Sequence, residues 1–283
     1  MEGRIIKQIS NQYTVQVNNN YYTTQARGKF RNIGLSPLVG DIVEINPETL
    51  TIEKIKPRIN ELARPVVANI DIALIVTSLK NPNLSLSLLD KQISIIKARH
   101  IEPVICFTKM DLLNSQEKKD IKKLKKYYTN LNIKIVDNRH LGHLKRVLKD
   151  KLVCLTGQTG AGKSSLLNKL DKRLNLETNP ISKALNRGVH TTRHTEIYQI
   201  GKIYFCDTPG FSALDFQDIT KEELRDTFVE FQNYHCKFPD CFHQKEKGCE
   251  VIKDVGTKIL PSRYVNYGRF LNECQENSNK LYK

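Results

Sequence analysis

A short glycine-rich segment in the second half of the chain has the residue types and spacing of a phosphate-binding loop. Its glycines would allow consecutive backbone N–H groups to turn toward a polyphosphate. Lys163 would reach the β- and γ-phosphates, and the hydroxyl group of Ser164 would bind Mg²⁺. The residues predicted to bind the nucleotide here are Gly157, Gln158, Thr159, Gly160, Ala161, Gly162, Lys163, Ser164 and Ser165.

The segments on both sides of this loop fit the same interpretation. Residues 152–156 form a short apolar, partly β-branched run that predicts a buried strand, and residues 165–170 have the apolar spacing of a helix. The N-terminus of that helix would add partial positive charge beside the phosphates. The alternative is a chance glycine-rich turn, which would require neither the preceding strand nor the following helix.

A second segment, Thr108-Lys109-Met110-Asp111, resembles the guanine-reading N-K-x-D element of GTPases, with threonine in place of asparagine. The Asp111 carboxylate would accept hydrogen bonds from the N1–H and the exocyclic amine of guanine, while the stem of Lys109 lies along the base. Adenine does not present those two donors, so the pair would select GTP. Residues 137–139, where GTPases usually carry a Ser-Ala-type element, depart from that pattern and receive no role.

Two further segments have the pattern of elements that respond to a γ-phosphate. Residues 177–195 form a long irregular stretch, which predicts a first switch whose threonine binds Mg²⁺ and the γ-phosphate. We favour Thr192 for that role and keep Thr191 as the alternative. A predicted strand then ends in a D-x-x-G motif, in which Asp207 would hold the metal and the N–H of Gly210 would contact the γ-phosphate.

Three cysteines and one histidine near the C-terminus have the spacing C-x4-C-x-H-x5-C, a Cys₃His set typical of a structural zinc site. A disulfide is the other use of clustered cysteines, and a reducing cytoplasm disfavours it. His235 is a competing ligand, but adjacent residues seldom bind one metal well, and Cys274 is too distant along the chain. The predicted ligands are Cys236, Cys241, His243 and Cys249.

The elements around these motifs divide the chain into three predicted domains, residues 1–62, 63–218 and 219–283. In the first, short alternating or β-branched segments separated by turn residues predict a small Greek-key barrel of OB type. Residues 57–65 are interpreted as a linker to the second domain. The barrel strands are expected at residues 3–9, 13–17, 21–26, 42–45 and 51–55.

A basic segment inside the first domain has two interpretations. Arg27, Lys29 and Arg31, with Phe30 among them, would form a nucleic-acid-binding surface whose aromatic ring stacks on a single strand. The alternative is a solvated strand edge that carries protective lysines. The sequence leaves both interpretations open.

The second domain is predicted from the alternation of strands and helices, which is typical of a parallel α/β sheet with helices on both faces. The helix at residues 115–128 carries lysines that either form a solvated face or contact RNA. A capping-box pattern at residues 220–223 begins the helical third domain, and residues 261–283 are expected to form a helix packed on the zinc module. The strands of the sheet are expected at residues 70–77, 104–107 and 133–136, in addition to those named above.

Composition limits the class of protein and its partners. The chain of 283 residues carries 45 Lys and Arg against 30 Asp and Glu, a formal charge of +15. Solvated lysine-rich faces and a polyanionic partner such as RNA explain this charge equally well. No apolar run is long enough to span a bilayer and residues 1–7 lack the apolar stretch of a secretory signal, so we expect a cytoplasmic monomer without a membrane partner. Cys106, Cys154 and Cys206 lie in apolar runs and are predicted to be buried thiols.

The order of the motifs is unusual for a GTPase. The base-reading segment at residues 108–111 precedes the phosphate-binding loop, whereas an ordinary small GTPase has the reverse order. The domain is therefore predicted to be circularly permuted, which requires only that the original ends lie close together. The D-x-x-G strand would then lead directly into the C-terminal domain, which would respond to the nucleotide.

The permuted order, the G-Q-T-G-A-G-K-S and D-T-P-G-F runs and the Cys₃His set together resemble the RsgA (YjeQ) family of ribosome small-subunit-dependent GTPases. The resemblance covers essentially the whole chain. It implies an OB-type barrel, a circularly permuted GTPase domain and a zinc-binding helical domain. It also implies a factor that binds the 30S ribosomal subunit and its 16S rRNA late in maturation and hydrolyses GTP to GDP faster when bound.

The resemblance also implies a catalytic residue. Phe211 follows D-x-x-G where many GTPases place a water-orienting glutamine, and its side chain cannot hydrogen-bond water. His190 is the best candidate by position and resembles the residue given that role in the family; contact with solvent or rRNA alone is the alternative. The predicted catalytic set is His190, Lys163 and Thr192. A different function also stays open, an rRNA-binding module that GTP switches and in which hydrolysis is incidental.

Overall fold

The described part of the chain contains a β-barrel, an α/β unit and a helical C-terminal module. The computed structural model describes residues 1–32, 34–63, 66–174, 196–207 and 215–281. Within these ranges, none of the helices combines the length and the apolar character needed to cross a lipid bilayer.

The N-terminal strands close into the OB-type barrel that the sequence predicted. β3 pairs with β5 in parallel, β5 with β4, and β4 with β1, which completes the closed circuit. Ile5, Val15 and Val43 alternate with half-buried residues along their strands and are fully buried in the core. The elements are β1 (Glu2–Ile9), β2 (Gln12–Val17), β3 (Asn20–Ala26), the short helix α1 (Lys29–Asn32), β4 (Ile42–Asn46) and β5 (Thr51–Ile55).

Of the two interpretations that the sequence left open for the basic segment, the structure does not support stacking by Phe30. Its side chain is only 5% exposed, because α1 directs the ring into the apolar core instead of toward solvent. Arg27 forms an ion pair with Glu53 at 2.7 Å, and the Lys29 ammonium lies 5.3 Å from the centroid of the buried ring. The side chain of Arg31 lies outside the described residues. The interpretation as a solvated edge is therefore the one that the described side chains favour.

The segment predicted as a linker contributes instead to two short antiparallel strands, β6 (Glu61–Ala63) and β7 (Val66–Ala68). Arg58 donates two hydrogen bonds, of 2.8 and 2.7 Å, to the buried carboxylate of Asp41 in the barrel. The Asn60 amide exchanges bonds of 2.8 and 2.9 Å with the backbone of Ile70. These contacts fix the barrel relative to the sheet that follows.

Five parallel strands form the centre of the second domain, as the alternation of strands and helices predicted. The five are β8 (Ile72–Ser78), β9 (Glu102–Thr108), β10 (Lys134–Asp137), β11 (Leu152–Thr156) and β13 (Ile203–Asp207), and a sixth strand, β12 (Glu196–Ile200), lies beside β13. Their spatial order is β10-β9-β8-β11-β13-β12, and β12 runs antiparallel to β13. The carboxyl ends of the five parallel strands therefore share one edge of the sheet.

Helices cover both faces of this sheet, and every residue of β8 is buried between them. The predicted burial of Cys106, Cys154 and Cys206 is confirmed. Burial raises the pKa of the Cys106 thiol to about 12, so this thiol stays protonated and unreactive at neutral pH. The helices are α2 (Leu86–Ala98), α3 (Ser115–Asn130), α4 (Leu141–Leu148) and α5 (Lys163–Leu170).

The barrel and the central sheet are joined edge to edge. β12 pairs with β1 at Glu196 and Lys7, whose side chains also form an ion pair at 3.1 Å. Apart from β6 and β7, which form a separate pair, the described strands of the two domains therefore belong to one hydrogen-bonded sheet.

The C-terminal module is helical, with α6 (Lys221–Thr227) and α7 (Pro261–Leu281) as its main elements. The predicted capping box is confirmed: the Thr220 N–H donates to the Glu223 carboxylate at 2.8 Å, and the Glu223 N–H donates to the Thr220 hydroxyl at 3.1 Å. Aromatic rings fill its core, with Phe231 packed against Phe228 and Tyr267.

A buried ion network attaches α7 to the α/β domain. Arg263 is 1% exposed and donates a hydrogen bond of 2.7 Å to Asp90 on α2, and it also pairs with Glu230. Asp90 accepts two more bonds, from Tyr128 on α3 at 2.6 Å and from Asn266 at 2.7 Å. Burial by itself would lower the pKa of Arg263, but Glu230 and Asp90 outweigh it and raise that pKa. The guanidinium is therefore a fixed cation between two carboxylates.

Replacing Arg263 with methionine should loosen the attachment of α7, because Asp90 and Glu230 would remain buried without their cation. We expect the local free energy of opening to fall by about 3–5 kcal/mol, measured by hydrogen exchange of the α7 backbone amides. Arg269→Met, on the same helix but exposed, is the matched control and should change it by less than about 0.5 kcal/mol. Equal exchange in the two variants would contradict this account.

Candidate active site and metal centre

The predicted phosphate-binding loop connects β11 to α5 and lies directly on β8. Gly157 has φ +133°, and a Cβ atom at this position would lie 2.1 Å from the Val76 carbonyl oxygen. Gly160 and Gly162 also have positive φ, +75° and +95°, and Gly162 precedes the first residue of α5. Positive φ favours glycine at all three positions, and at Gly157 the close contact excludes any side chain, so the spacing of the motif has a steric cause.

Lys163 begins α5 and folds back over the loop. Its ammonium donates hydrogen bonds to the carbonyls of Gly157 at 2.6 Å and Gln158 at 3.0 Å. Burial lowers the pKa of this lysine. Ser164 and Ser165 follow in the first turn of α5, half-buried and exposed, respectively. The cation, the hydroxyls and the helix N-terminus therefore converge where the sequence predicted a polyphosphate.

The base-reading segment lies against this loop. Thr108 ends β9, is 1% exposed, and donates a hydrogen bond of 2.7 Å from Oγ1 to the Ala161 carbonyl. Lys109 has φ +58°, and its ammonium donates to the Gly160 carbonyl at 3.0 Å and to the Asn81 carbonyl. The threonine that replaces the usual asparagine therefore still bonds the loop. The structure brings the two predicted halves of the site together.

The segment at residues 137–139, which sequence reasoning left without a role, lies beside Met110. The Arg139 guanidinium is 3.4 Å from the Met110 sulfur and donates to the Asp137 carboxylate at 2.7 Å. Burial would raise the pKa of Asp137, but the hydrogen bonds from Arg139 outweigh it and lower that pKa. Asp111 is exposed next to this pair. The position of this segment directly after the strand β10 was the sequence signal that could have predicted its contact with the base-reading segment.

The remaining predicted residues of this site are only partly described. Asp207 ends β13, which pairs with β11 through Cys206 and Cys154, so its backbone lies at the same sheet edge as the loop. The side chain of Asp207 lies outside the described residues. His190, Thr191, Thr192 and Gly210 also lie outside them.

One contact to the loop strand had no sequence signal. The buried amide of Gln92 on α2 donates a hydrogen bond of 3.1 Å to the Thr156 hydroxyl, the last residue of β11. No motif marks Gln92, because its role depends on how α2 packs across the sheet.

The predicted metal ligands converge. The ligand atoms of Cys236, Cys241, His243 and Cys249 all lie within 4.8 Å of one another. The Nδ1 atom of His243 is 3.5 Å from the sulfurs of Cys236 and Cys249, and these sulfurs are 3.9 Å apart. A tetrahedral site with metal–sulfur bonds of about 2.3 Å and metal–nitrogen bonds of about 2.0–2.1 Å has edges of about 3.8 and 3.6 Å. The donor set therefore fits a four-coordinate metal ion.

Hydrogen bonds hold the ligand loops in this arrangement. The Tyr264 hydroxyl on α7 donates to the His243 carbonyl at 2.7 Å, and the Tyr267 hydroxyl donates to the Phe242 carbonyl at 2.9 Å. The Glu246 carboxylate accepts from the Phe242 N–H at 2.8 Å. The predicted packing of the tail helix on this module is confirmed. Among the described residues, the cluster includes neither Cys274 nor His235, in agreement with their exclusion.

Comparison with known proteins assigns the chain to a family. A model of the RsgA GTPase matches residues 55–217, and a model of the RsgA N-terminal domain matches residues 2–52. The Small ribosomal subunit biogenesis GTPase RsgA 2 of Oceanobacillus iheyensis is 45% identical over 285 residues, which cover 97% of each chain. The crystal structure of YjeQ from Thermotoga maritima is 31% identical with a TM-score of 0.84, covering 97% of this chain and 98% of that one. YloQ, described as a circularly permuted GTPase, is 33% identical with a TM-score of 0.82, covering 97% and 95%. The chain therefore belongs to the RsgA family of circularly permuted GTPases.

Proposed function

We propose that this chain binds GTP between the phosphate-binding loop and residues 108–111 and hydrolyses it while bound to the maturing small ribosomal subunit. The observation that carries the proposal is the hydrogen bond from Thr108 to Ala161, because it holds a base-reading segment beside a phosphate-binding loop. Relatives named as small ribosomal subunit biogenesis GTPases support the cellular role. The formal charge of +15 supports a partner rich in RNA, the 30S subunit with its 16S rRNA.

We further propose a cytoplasmic monomer with domains at residues 1–62, 63–218 and 219–283. The two matched families, at residues 2–52 and 55–217, support a boundary after the barrel and another before the metal-binding module.

The proposed roles around the phosphates follow from residue chemistry. Lys163 would leave the loop carbonyls to bind the β- and γ-phosphates, and the N–H of Gly210 would contact the γ-phosphate. Ser164, Asp207 and Thr192, with Thr191 as the alternative, offer the oxygen ligands that Mg²⁺ prefers. When bound, Mg²⁺ would neutralise charge that develops on the transferred phosphoryl group.

The proposed catalytic set is His190, Lys163 and Thr192. Phosphoryl transfer to water requires a group that orients the attacking water, and the side chain of Phe211 cannot supply one. His190 would orient the water, while Lys163 and Thr192 hold the charged phosphoryl oxygens in place.

Single-turnover GTP hydrolysis, with and without small ribosomal subunits, tests the proposed function. We expect subunits to accelerate hydrolysis and His190→Ala to lower the stimulated rate by about 100-fold, because the attacking water would lose its orienting group. His143→Ala on α4, exposed and away from the loop, is the matched control and should retain the wild-type rate. Unchanged stimulated turnover in His190→Ala would remove the histidine from the mechanism. If small subunits leave the rate of hydrolysis unchanged, the result would favour the alternative function, an rRNA-binding module in which hydrolysis is incidental.

Guanine selectivity provides a separate test. Asp111→Asn should weaken GTP binding by about 100-fold, since an amide cannot accept both guanine donors as a carboxylate does. The same variant should gain affinity for xanthosine triphosphate, whose 2-oxo group accepts from the amide N–H. Asp120→Asn, the same change at an exposed position on α3, is the control. Equal GTP affinity of both variants, measured by equilibrium titration, would contradict the assignment of Asp111.

We propose that the metal in the Cys₃His centre is a single structural Zn²⁺ ion. A closed set of three thiolates and one imidazole is typical of structural zinc, and it leaves no position for substrate. Cys241→Ser should reduce the bound zinc, measured by elemental analysis of the purified protein, and should destabilise α6 and α7 because metal binding is coupled to folding. Cys274→Ala changes a buried cysteine of the same core that is not a ligand, and should keep one zinc per chain. Loss of zinc in both variants, or in neither, would refute this ligand set.

A further inference from the structure

A basic cavity lies on the α/β domain outside the nucleotide site. Its volume is about 500 Å³, and the buried side chains of Leu170, Ile200 and Ile203 form its floor. The size suits one nucleotide unit of a larger ligand. Its rim is formed largely by basic residues, which are Lys145, Arg146, Lys149, Arg173 and Lys202.

Much of the charge on this rim is not neutralised by the described residues. The Asp171 carboxylate also lines the cavity, and it pairs with Arg173 at 2.7 Å. Lys149 lies 3.8 Å from the Asp150 carboxylate. Three rim residues, Lys145, Arg146 and Lys202, form no ion pair within 4 Å in the ranges that the structure describes. Lys145 is nevertheless near enough to Asp171 to contribute, after Arg173, to the lowered pKa of that carboxyl.

The cavity lies at the end of the sheet opposite the phosphate-binding loop. It is built from the last turn of α4, the C-terminus of α5 and the turn between β12 and β13. α5 has eight residues, so its two ends are separated by about 12 Å. The loop is at one end of this helix and the cavity at the other. The two sites therefore share a helix without sharing a binding residue.

We propose that this cavity binds single-stranded RNA, with one unpaired nucleotide on the apolar floor and the neighbouring phosphates on the basic rim. The proposal rests on the proposed function and deepens it, because it assigns an RNA contact to a surface outside the elements that bind GTP. The long aliphatic stems of lysine and arginine extend the apolar wall while their charged ends reach the phosphates. None of the residues that line the cavity belongs to the predicted nucleotide-binding set.

RNA fits this cavity better than a free small molecule. Small-ligand sites fix their ligand through a few polar groups placed inside the pocket. Here Lys145, Arg146 and Lys202 are exposed on the rim, and the described floor is aliphatic. Exposed cations of this kind bind a phosphate backbone and do not read a particular base. In a single-stranded RNA, one base can occupy the apolar floor while the phosphates on either side of it contact the basic rim.

The test removes three rim charges from the full-length chain, in the variant Lys145→Ala/Arg146→Ala/Lys202→Ala. Binding of a fluorescent oligouridylate and of purified small ribosomal subunits is measured over a range of salt concentrations. We expect affinity for the oligonucleotide to fall about tenfold or more at moderate salt, and its salt slope to fall by about 2. The basal rate of GTP hydrolysis should be unchanged. The matched control, Lys118→Ala/Lys119→Ala/Lys122→Ala, removes the same charge from the exposed face of α3 and should retain most of the affinity.

Each outcome separates this inference from the proposed function. Equal losses in the two triple variants would attribute binding to net charge and overturn the cavity as a site. Displacement of the oligonucleotide by uridine monophosphate at micromolar concentration would make it a small-molecule site and would also overturn the proposal. If the wild-type chain fails to bind small subunits with any nucleotide, the proposed function fails, whereas oligonucleotide binding through the cavity can still be measured.

Discussion

The candidate nucleotide site depends on the hydrogen bond from the Thr108 hydroxyl to the Ala161 carbonyl. β9 and β11, which carry these two segments, are not neighbours, because β8 lies between them. The loops must therefore meet above the carboxyl end of β8. They can do so because Gly157 lets the phosphate-binding loop descend onto the Val76 carbonyl, where a Cβ atom would lie at 2.1 Å. The absence of a side chain at Gly157 thus allows the two segments to meet. The bonds from Thr108 to Ala161 and from Lys109 to Gly160 then hold them together.

α2 lies between this site and the metal-binding module. Gln92 bonds the end of the loop strand, and Asp90, two residues earlier, holds the buried cation of Arg263 on α7. Residues two apart point to roughly opposite sides of a helix. The helix therefore contacts the phosphate-loop strand on one face and the C-terminal module on the other. This non-covalent connection exists in addition to the covalent one that the permutation creates after β13.

Local patterns predicted most of the local geometry that the structure shows. The phosphate-binding loop, the capping box at Thr220 and the Cys₃His cluster are each specified by nearby residues whose spacing has a steric or chemical cause. The sequence could not decide the role of Phe30, because its neighbours are charged whereas its burial depends on how α1 packs on the barrel. The roles of Arg263 and Gln92 could not be predicted from the sequence. Their partners are far away along the chain, 173 residues for Asp90 and 64 for Thr156.

The two ends of the central sheet have different chemistry, and the fold explains why. Parallel strands place every βα loop at the carboxyl edge, so residues that bind phosphates accumulate there and are tied to the state of the nucleotide. The opposite edge carries the ends of α4 and α5, where basic residues interact favourably with the helix C-terminus, as Lys145 and Arg146 do in the last turn of α4. Charge at that edge would attract a polyanion over a distance of about a Debye length. The RNA site that we propose would therefore act separately from the segments that are expected to respond to the nucleotide.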